Sequence, residues 1–229
     1  MLDVRNLIVA YGQSEVLHGI DLSVAPGEIV AVVGRNGMGK STLMKSLIGI
    51  MPTKSGQVTV DGADITSMPS HARVKRGIAY VPQGRQIFGT MTVRENIETG
   101  LVVTGKSDVP DDIYALFPIL DEFGKRRGGN LSGGQQQQLA IARALVADPK
   151  LIILDEPTEG IQPSIIKLIG EVIKGLSKRG DLAILLVEQY YDFGRELADH
   201  YMVMSRGQIV KQGLGADMDK DNIRDFVAL

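Results

Sequence analysis

Residues 34–42 read GRNGMGKST and match the phosphate-binding pattern G-x-x-x-x-G-K-[ST]. The glycines in this run permit a tight turn that points successive backbone N–H groups inward. Lys40 brings a positive charge to the β- and γ-phosphates, and Ser41 offers a hydroxyl to Mg²⁺. The run therefore predicts that the chain binds a nucleoside triphosphate. The predicted contacts are Gly34, Arg35, Asn36, Gly37, Met38, Gly39, Lys40, Ser41 and Thr42.

Two adjacent carboxylates, Asp155 and Glu156, follow an apolar run over residues 151–154. In this setting the first acid is typically associated with Mg²⁺, and the second is a candidate base that polarises the attacking water. Taken alone, the pair is equally an acidic strand end before the turn at Pro157 and Thr158. Beside a phosphate loop, the pattern favours the catalytic interpretation.

A second helix start rich in small residues lies at residues 131–135, which read LSGGQ. Ser132, Gly133, Gly134 and Gln135 open a helical pattern, and the free N–H groups of a helix N-terminus attract anions. The chain has one phosphate loop. This helix start therefore predicts a second, separate anion site.

Short apolar runs that alternate with helical patterns must hold these groups in place. We predict buried strands at Ile29–Val33, at Ile78–Val81 and at residues 151–154 and 183–187. Each run is compact and apolar, as in a parallel sheet covered on both faces. Apolar residues at helical spacing after Pro163 predict an amphipathic helix between the last two strands. The pattern indicates an α/β core.

Two further regions flank this core. Residues 20–24 alternate with period two, and residues 57–60 precede a turn, which predicts a small antiparallel β-lobe. Residues 92–146 read as a helical lobe inserted in the core, opened by a capping box from Thr92 to Glu95. Residues 201–211 suggest a hairpin. Because neither edge of the helical region has a clear linker, we expect residues 1–229 to form a single domain.

Composition narrows the possible functions. The formal net charge of −2 creates no general attraction for nucleic acid, so no nucleic-acid partner is expected. The chain has no cysteine, which excludes disulfides, thiolate nucleophiles and cysteine metal sites. No apolar run approaches the roughly 18 residues that cross a bilayer.

The helix start at residues 131–135 resembles the signature motif of ATP-binding cassette (ABC) ATPases. The resemblance includes the phosphate loop, the lone glutamine Gln83 after the strand Ile78–Val81, and the acidic pair, all in the order of that family. Tyr11 lies at the family's adenine-stacking position, although aromatic residues also favour ordinary strands. The resemblance therefore implies an ABC-type core with ATP and Mg²⁺ as its ligands.

The family resemblance also implies a sandwich dimer. ATP would be held between the phosphate loop of one subunit and the Ser132–Gln135 signature of a second ATP-binding subunit. Glu156 would act in catalysis, and the metal would be held by Ser41, Gln83 and Asp155. Closure by a second helix N-terminus excludes water and strengthens each electrostatic contact.

Two positions depart from the family pattern. Gln189 stands where the family usually has a histidine that contacts the γ-phosphate, so we expect Gln189 to take this catalytic position. An amide donates a hydrogen bond but cannot become cationic. Gln162 stands where an aspartate is usual. Both changes favour a non-identical partner, although a homodimer remains possible in isolation.

Among transporter ATPases, the motifs resemble importers of branched-chain amino acids and related amides. The closest resemblance is to the second ATP-binding subunit of urea importers, chiefly through residues 159–166. Gln138 departs from the apolar residue usual at its position. The expected function is ATP hydrolysis that drives urea uptake through a membrane permease. The alternatives are the same role for branched-chain amino acids, a soluble ABC ATPase, or a nucleotide sensor.

The same resemblance implies where the chain works. It would lie peripherally at the cytoplasmic face of the inner membrane, and would meet a periplasmic or extracellular solute-binding protein only indirectly. Permease subunits would dock in a groove formed by residues 83–88, from Gln83 to Phe88, and the helical lobe. Ile87 and Phe88 are the predicted anchors, and packing inside the lobe is the alternative role for both.

Overall fold

The computed structural model describes residues 1–227 and alternates strands with helices. Its strands are β1 (Leu2–Tyr11), β2 (Ser14–Val24), β3 (Ile29–Val33), β4 (Ser55–Val60), β5 (Ala63–Asp64), β6 (Ile78–Val81), β7 (Leu151–Asp155), β8 (Ala183–Glu188), β9 (His200–Ser205) and β10 (Gln208–Leu214). Its helices are α1 (Lys40–Leu47), α2 (Ser70–Lys75), α3 (Val93–Leu101), α4 (Asp111–Leu116), α5 (Pro118–Glu122), α6 (Gly133–Leu145), α7 (Pro163–Ser177), α8 (Tyr191–Leu197) and α9 (Arg224–Val227). This order confirms the predicted α/β class.

The larger sheet has the strand order β10-β9-β3-β8-β7-β6. All neighbouring pairs from β9 to β6 are parallel, and β10 pairs antiparallel with β9. The four predicted buried strands are confirmed, with β7 and β8 each extending one residue further, to Asp155 and to Glu188. The predicted C-terminal hairpin is the pair β9 and β10.

The central strand β3 is covered on both faces. Val30 and Val32 pack in a cluster with the smaller sheet, whereas Ala31 and Val33 pack in a cluster with Tyr201. Successive side chains of a strand point to opposite faces. Apolar residues are therefore needed at every position of β3, which is why its sequence reads as a continuous apolar run.

The smaller sheet has the order β2-β1-β4-β5 and is antiparallel, which confirms the predicted β-lobe. β2 begins at Ser14, well before the alternating residues 20–24, and β1 has no counterpart among the predicted strands. The register of the β1–β2 pair shifts at several points, and Asn6 adopts a φ of 46°. Such irregularities break the period-two pattern by which a strand is recognised in sequence.

Helices α3 to α6 lie between β6 and β7 in the chain. The capping box at Thr92 and Glu95 is confirmed at the start of α3. These helices share a buried apolar cluster that includes Phe117 and Leu120, and the same cluster extends to one face of the larger sheet. The helical segment is therefore attached to the core by apolar packing.

Across residues 1–227, no helix combines the length and apolar character needed to span a membrane.

Candidate active site

Four loops meet at one edge of the larger sheet. The phosphate loop follows β3, Glu156 follows β7, Gln189 follows β8, and Gln83 lies just after β6. These four strands are neighbours in the order β3-β8-β7-β6 and run parallel, so their carboxyl ends lie at the same edge. Ligands of open α/β sheets bind at this edge.

The phosphate loop leads directly into α1, which begins at Lys40. The N-cap residue Gly39 has φ 106° and no side chain caps the helix, so its first N–H groups have no intrahelical acceptor. Gly34 must lack a side chain, because a Cβ there would lie 2.4 Å from the carbonyl oxygen of Met204. At Gly37 the surrounding space is open. The loop is thus an open anion cradle at a helix N-terminus.

The remaining predicted loop contacts differ in exposure. Arg35, Asn36 and Ser41 are exposed, whereas Thr42 is buried. Met38 is half-buried, and its carbonyl oxygen accepts a hydrogen bond of 2.9 Å from the N–H of Gly207 in the β9–β10 turn. The β9–β10 hairpin therefore supports the phosphate loop through this hydrogen bond, and the polar residues Arg35, Asn36 and Ser41 of the loop remain exposed to solvent.

Lys40 is the buried cation of the site, with 4% of its surface exposed. Its Nζ donates to the carbonyl oxygens of Gly34 and Arg35, at 2.7 and 3.1 Å, and lies 3.3 Å from Oε1 of Glu156. The structure therefore brings together the predicted phosphate-binding lysine and the predicted base. A buried charged pair needs further hydrogen bonds, and the two carbonyls supply them to Lys40.

Glu156 has a φ of 47°, a region that residues with a side chain rarely adopt. Its backbone N–H donates to the carbonyl oxygen of Val187 in β8, at 2.9 Å. Oε2 accepts a hydrogen bond of 3.1 Å from the amide nitrogen of Gln83, which also lies 3.2 Å from Oε2 of Glu159. Gln83 and Lys40 therefore hold the Glu156 carboxylate from two sides.

Asp155 is buried and accepts a hydrogen bond of 2.9 Å from the hydroxyl of Tyr80. Burial raises the pKa of Asp155 above its ordinary value, and the Tyr80 hydrogen bond partly opposes this rise. Burial, with the charge of Asp155 and its hydrogen bond, raises the pKa of Tyr80. Tyr80 therefore stays a neutral donor that orients one carboxylate oxygen.

The oxygen ligands available at this site fit Mg²⁺ bound partly by substrate phosphates, rather than a metal ion bound entirely by protein side chains. Within residues 1–227, no group of three or more histidine and acidic side chains is arranged to hold a metal ion. Mg²⁺ is typically bound through one or two carboxylates together with substrate phosphates. Ser41, Gln83 and Asp155 would hold it by oxygen atoms beside the open phosphate loop, where the metal would neutralise phosphate charge.

Gln189 is exposed, whereas the residue before it, Glu188, is buried and hydrogen-bonds to the loop backbone. Glu188 has 1% of its surface exposed and accepts hydrogen bonds from the N–H groups of Gln189 and Tyr190, both at 3.1 Å. Burial raises the pKa of Glu188 to about 7. Sequence reasoning missed this residue. The available signal was a carboxylate at the end of an otherwise apolar buried strand.

The predicted signature lies at the start of α6. Ser132 caps the helix: its N–H donates to Oε1 of Gln135 at 2.9 Å, and the N–H of Gln135 donates to Ser132 Oγ at 3.4 Å. The N–H of Gln135 is therefore not free, contrary to the expectation of an unpaired helix start. Gly133 and Gly134 remain as the small residues of the turn. None of these residues contacts Lys40 or Glu156 in the described hydrogen bonds.

Gln138, which departs from the family pattern, is buried in α6, as is the neighbouring Gln137. The amide nitrogen of Gln137 has no hydrogen-bond partner within residues 1–227.

Tyr11 ends β1 and faces Ser14 across the β1–β2 turn. Tyr11 is 48% exposed, so its side chain is accessible from solvent.

The segment after Gln83 has an unusual backbone. Gly84, Arg85 and Gln86 all have positive φ values, at 75°, 68° and 45°. Arg143 of α6 donates to the carbonyl oxygens of Arg85 and Gln86, at 3.4 and 2.9 Å. Its guanidinium also lies above the Phe88 ring, with Cζ 5.2 Å from the ring centroid. Arg143 therefore connects this segment to the helical region.

The two predicted anchors of this segment have different environments. Ile87 packs against the helical apolar cluster, which agrees with its alternative role as an interior residue. Phe88 is 48% exposed. An apolar cleft of about 290 Å³ is lined in part by Arg143, whose guanidinium lies over the Phe88 ring. The other lining residues include Ile50, Val74, Tyr80, Val103 and Ala147, whereas residues 84–88 do not line it.

Comparison with known proteins identifies the family. The ABC transporter family model matches residues 17–159. The high-affinity branched-chain amino acid transport ATP-binding protein BraG of Pseudomonas aeruginosa is 41% identical over 219 residues, covering 94% of each chain. The probable branched-chain amino acid transport ATP-binding protein LivF of Archaeoglobus fulgidus is 39% identical, covering 95% of this chain and 94% of its own. The lipopolysaccharide export system ATP-binding protein LptB of Escherichia coli is 33% identical, covering 96% and 93%.

Solved structures agree. The ADP conformation of MJ1267, an ATP-binding cassette of an ABC transporter, superposes with a TM-score of 0.85 at 28% identity, covering 98% of this chain and 94% of its own. A nucleotide-free ATP-binding cassette from an ABC transporter gives a TM-score of 0.86 at 27% identity, covering 100% and 97%. With the family model spanning more than half of the sequence, the chain belongs to the ABC transporter family and is an ATPase that uses ATP with Mg²⁺.

Proposed function

We propose that the chain is the ATP-hydrolysing subunit of an importer of branched-chain amino acids. The observation that carries this proposal is the similarity to BraG and LivF over nearly the whole chain. The sequence motifs alone favoured urea, but neither relative is named for urea, so the alternative substrate becomes the main one. LptB is named for export and is less similar.

We assign the site as follows. Glu156 accepts a proton from the attacking water, and Gln83 and Lys40 hold its carboxylate for that purpose. Lys40 and the free N–H groups of α1 bind the phosphates. Gln189 faces the γ-phosphate as a neutral donor, and Tyr11 stacks on the base. Mg²⁺ supplies charge neutralisation at the phosphates when bound.

The signature residues Ser132, Gly133, Gly134 and Gln135 would complete the site of a second ATP-binding subunit. This assignment agrees with the described contacts, in which no hydrogen bond joins these residues to Lys40 or Glu156. Gln189 and Gln162 favour a non-identical partner. A homodimer that hydrolyses ATP at a full rate without any partner would contradict this part of the proposal.

The permease would dock at the exposed Phe88 and the helical region that Arg143 connects to it. Phe88 offers an exposed aromatic ring, and Arg143, which lies over that ring, also lines an apolar cleft. Because a charged residue in such a contact is desolvated without a partner, Phe88→Asp should weaken association with the permease while Mg-ATP binding persists. Phe226→Asp changes another exposed phenylalanine, on α9, and serves as the matched control. Association unaffected by Phe88→Asp would contradict the docking site.

Two measurements test the function itself. Lys40→Ala should weaken Mg-ATP binding by about tenfold or more, since charge-assisted hydrogen bonds contribute roughly 1.5–3 kcal/mol each. Lys167→Ala, on the exposed face of α7, should leave binding unchanged.

In a strain deleted for the gene, uptake of labelled leucine should return with the wild-type chain and not with Glu156→Gln. Restored urea uptake without leucine uptake would instead support urea as the substrate.

A further inference from the structure

The carboxylate of Glu188 joins two segments of the active site. Oε1 accepts hydrogen bonds from the hydroxyl and the N–H of Thr158, at 2.8 and 3.2 Å. Oε2 accepts from the N–H groups of Gln189 and Tyr190, both at 3.1 Å. Thr158 follows Glu156 in the loop after β7, whereas Gln189 and Tyr190 form the loop after β8. One buried side chain therefore fixes the relative position of both loops.

We propose that Glu188 is a positioning residue for ATP hydrolysis, which holds the segment of Glu156 and the segment of Gln189 in one fixed arrangement around the γ-phosphate. The inference rests on the proposed roles of Glu156 and Gln189. Glu188 itself is 1% exposed and lies beneath the loops, so it acts through them. Catalysis depends strongly on such positioning, because small displacements of a reacting group reduce the rate.

The hydrogen bonds indicate which form of Glu188 does this. All four come from uncharged donors, so an ionised carboxylate can accept every one of them. A protonated carboxyl must donate its own proton, and only the Thr158 hydroxyl can turn to accept it. The nearby charge is that of Glu156, which is itself paired with Lys40 and disfavours ionisation of Glu188. The ionised form therefore binds both loops most fully.

Amide NMR of the full-length chain tests the geometry directly. In a pH titration, the amide resonances of Thr158, Gln189 and Tyr190 should shift together with one midpoint near pH 7, the pKa that burial gives to Glu188. In Glu188→Gln this common transition should be absent. Glu171→Gln, an exposed position on α7, should retain it. Three amides that titrate separately, or that titrate unchanged in Glu188→Gln, would overturn the proposal.

Steady-state hydrolysis of Mg-ATP, measured on the chain assembled with its second ATP-binding subunit and the permease, tests the positioning role. At pH 8, Glu188→Gln should lower kcat by about tenfold while KM changes by less than about twofold, since Glu188 does not touch the nucleotide. Thr158→Val should lower kcat by about threefold, and should add nothing further in the Glu188→Gln background. Between pH 6 and 8, the wild-type kcat should rise relative to that of Glu188→Gln. Protonation of ATP affects both proteins equally, so it cancels in the ratio of the wild-type kcat to the Glu188→Gln kcat.

The outcomes separate the two proposals. Wild-type turnover with an unchanged kcat in Glu188→Gln would overturn the positioning role alone. Absence of wild-type turnover in the assembled transporter, or Mg-ATP affinity insensitive to Lys40→Ala, would overturn the proposed site as well. Should Glu188→Gln fail to fold, Thr158→Val decides the question, because it keeps the carboxylate and removes one hydrogen bond. An unchanged kcat in Thr158→Val would then overturn the inference. A folded Glu188→Asp variant with a kcat close to that of the wild type would support it, because this variant keeps a carboxylate at position 188.

Discussion

Replacing Arg73 with lysine is expected to destabilise the protein substantially, although Arg73 lies outside the active site. The guanidinium is 2% exposed and donates to four carbonyl oxygens. Nη1 donates to Ser46 and Leu47, both at 2.7 Å, in the last turn of the phosphate-binding helix α1. Nε and Nη2 donate to Met68 and Thr66, both at 2.8 Å. Arg73 thus ties α1 to the segment before α2.

The magnitude follows from the geometry of the two cations. A lysine ammonium donates from a single atom, whereas the planar guanidinium of Arg73 reaches carbonyls on two sides. At least two of the four carbonyls should lose their donor in Arg73→Lys. Each charged hydrogen bond contributes roughly 1.5–3 kcal/mol, and local relaxation recovers part of the loss. We therefore expect the free energy of unfolding to fall by about 3 kcal/mol.

Thermal unfolding followed by circular dichroism measures this change. In a chain of this size, about 1 kcal/mol shifts Tm by roughly 2–4 °C, so Arg73→Lys should lower Tm by about 6–12 °C. Arg76→Lys makes the same exchange at an exposed neighbouring position and should leave Tm nearly unchanged. A decrease below about 2 °C in Arg73→Lys would refute the reasoning, because the four hydrogen bonds would then contribute little.

Three further predictions concern two glycine positions, the buried carboxylate of Glu188 and the contacts of Arg143. Gly49→Ala places a Cβ 2.8 Å from a carbonyl oxygen at φ +76° and should cost about 3 kcal/mol in urea unfolding, whereas Gly62→Ala, at φ +74° in open space, should cost about 1 kcal/mol. Because the folded pKa of Glu188 is raised to about 7 from 4.5, its contribution to stability is present below pH 4.5 and lost as pH rises through 7. The wild type should thus lose about 3 kcal/mol relative to Glu188→Gln between these pH values, as measured by urea unfolding, and parallel pH curves would contradict this. Arg143→Ala removes the donor to Gln86 and should speed amide exchange across residues 84–88, and unchanged exchange rates would show that this segment holds its own conformation.

The central sheet and its loops could be predicted because their signals are local. A parallel strand buried on both faces needs apolar residues throughout, and Ile29–Val33 meets this condition. The groups that follow such strands then lie at one edge whatever the details of packing. This is why Lys40, Glu156 and Gln83 could be assigned to one site before any contact between them was known.

Arg73 could not be found in this way, because its partners have no sequence signature. All four acceptors are main-chain carbonyls, which every residue possesses, and two of them precede Arg73 by more than 25 residues. An isolated arginine in a short helix is usually solvated. Only the path of the chain shows that this one is enclosed.

The backbone of Glu156 was also outside the reach of sequence. It precedes Pro157, and a residue before proline ordinarily prefers an extended conformation. The structure instead gives it a φ of 47°, held by the hydrogen bond from its N–H to Val187 and by the pairing of its carboxylate with Lys40. Tertiary contacts therefore override the local preference. The transported substrate has no comparable signal in the sequence, because the predicted site residues all serve the nucleotide.

Some energetic costs of this structure lie beside the predicted catalytic groups. Glu156 and Arg85 have positive φ values, each costing of order 1–3 kcal/mol, and Glu188 places a carboxylate in the interior without a cationic partner. An apolar residue at position 188 would avoid burying a carboxylate, but it would remove the acceptor of the donors on Thr158, Gln189 and Tyr190. These costs persist because the apolar clusters on both faces of the sheet outweigh them. The strained backbone of Glu156 and the buried carboxylate of Glu188 agree with the proposed arrangement, in which Glu156 and Gln189 are held in fixed positions.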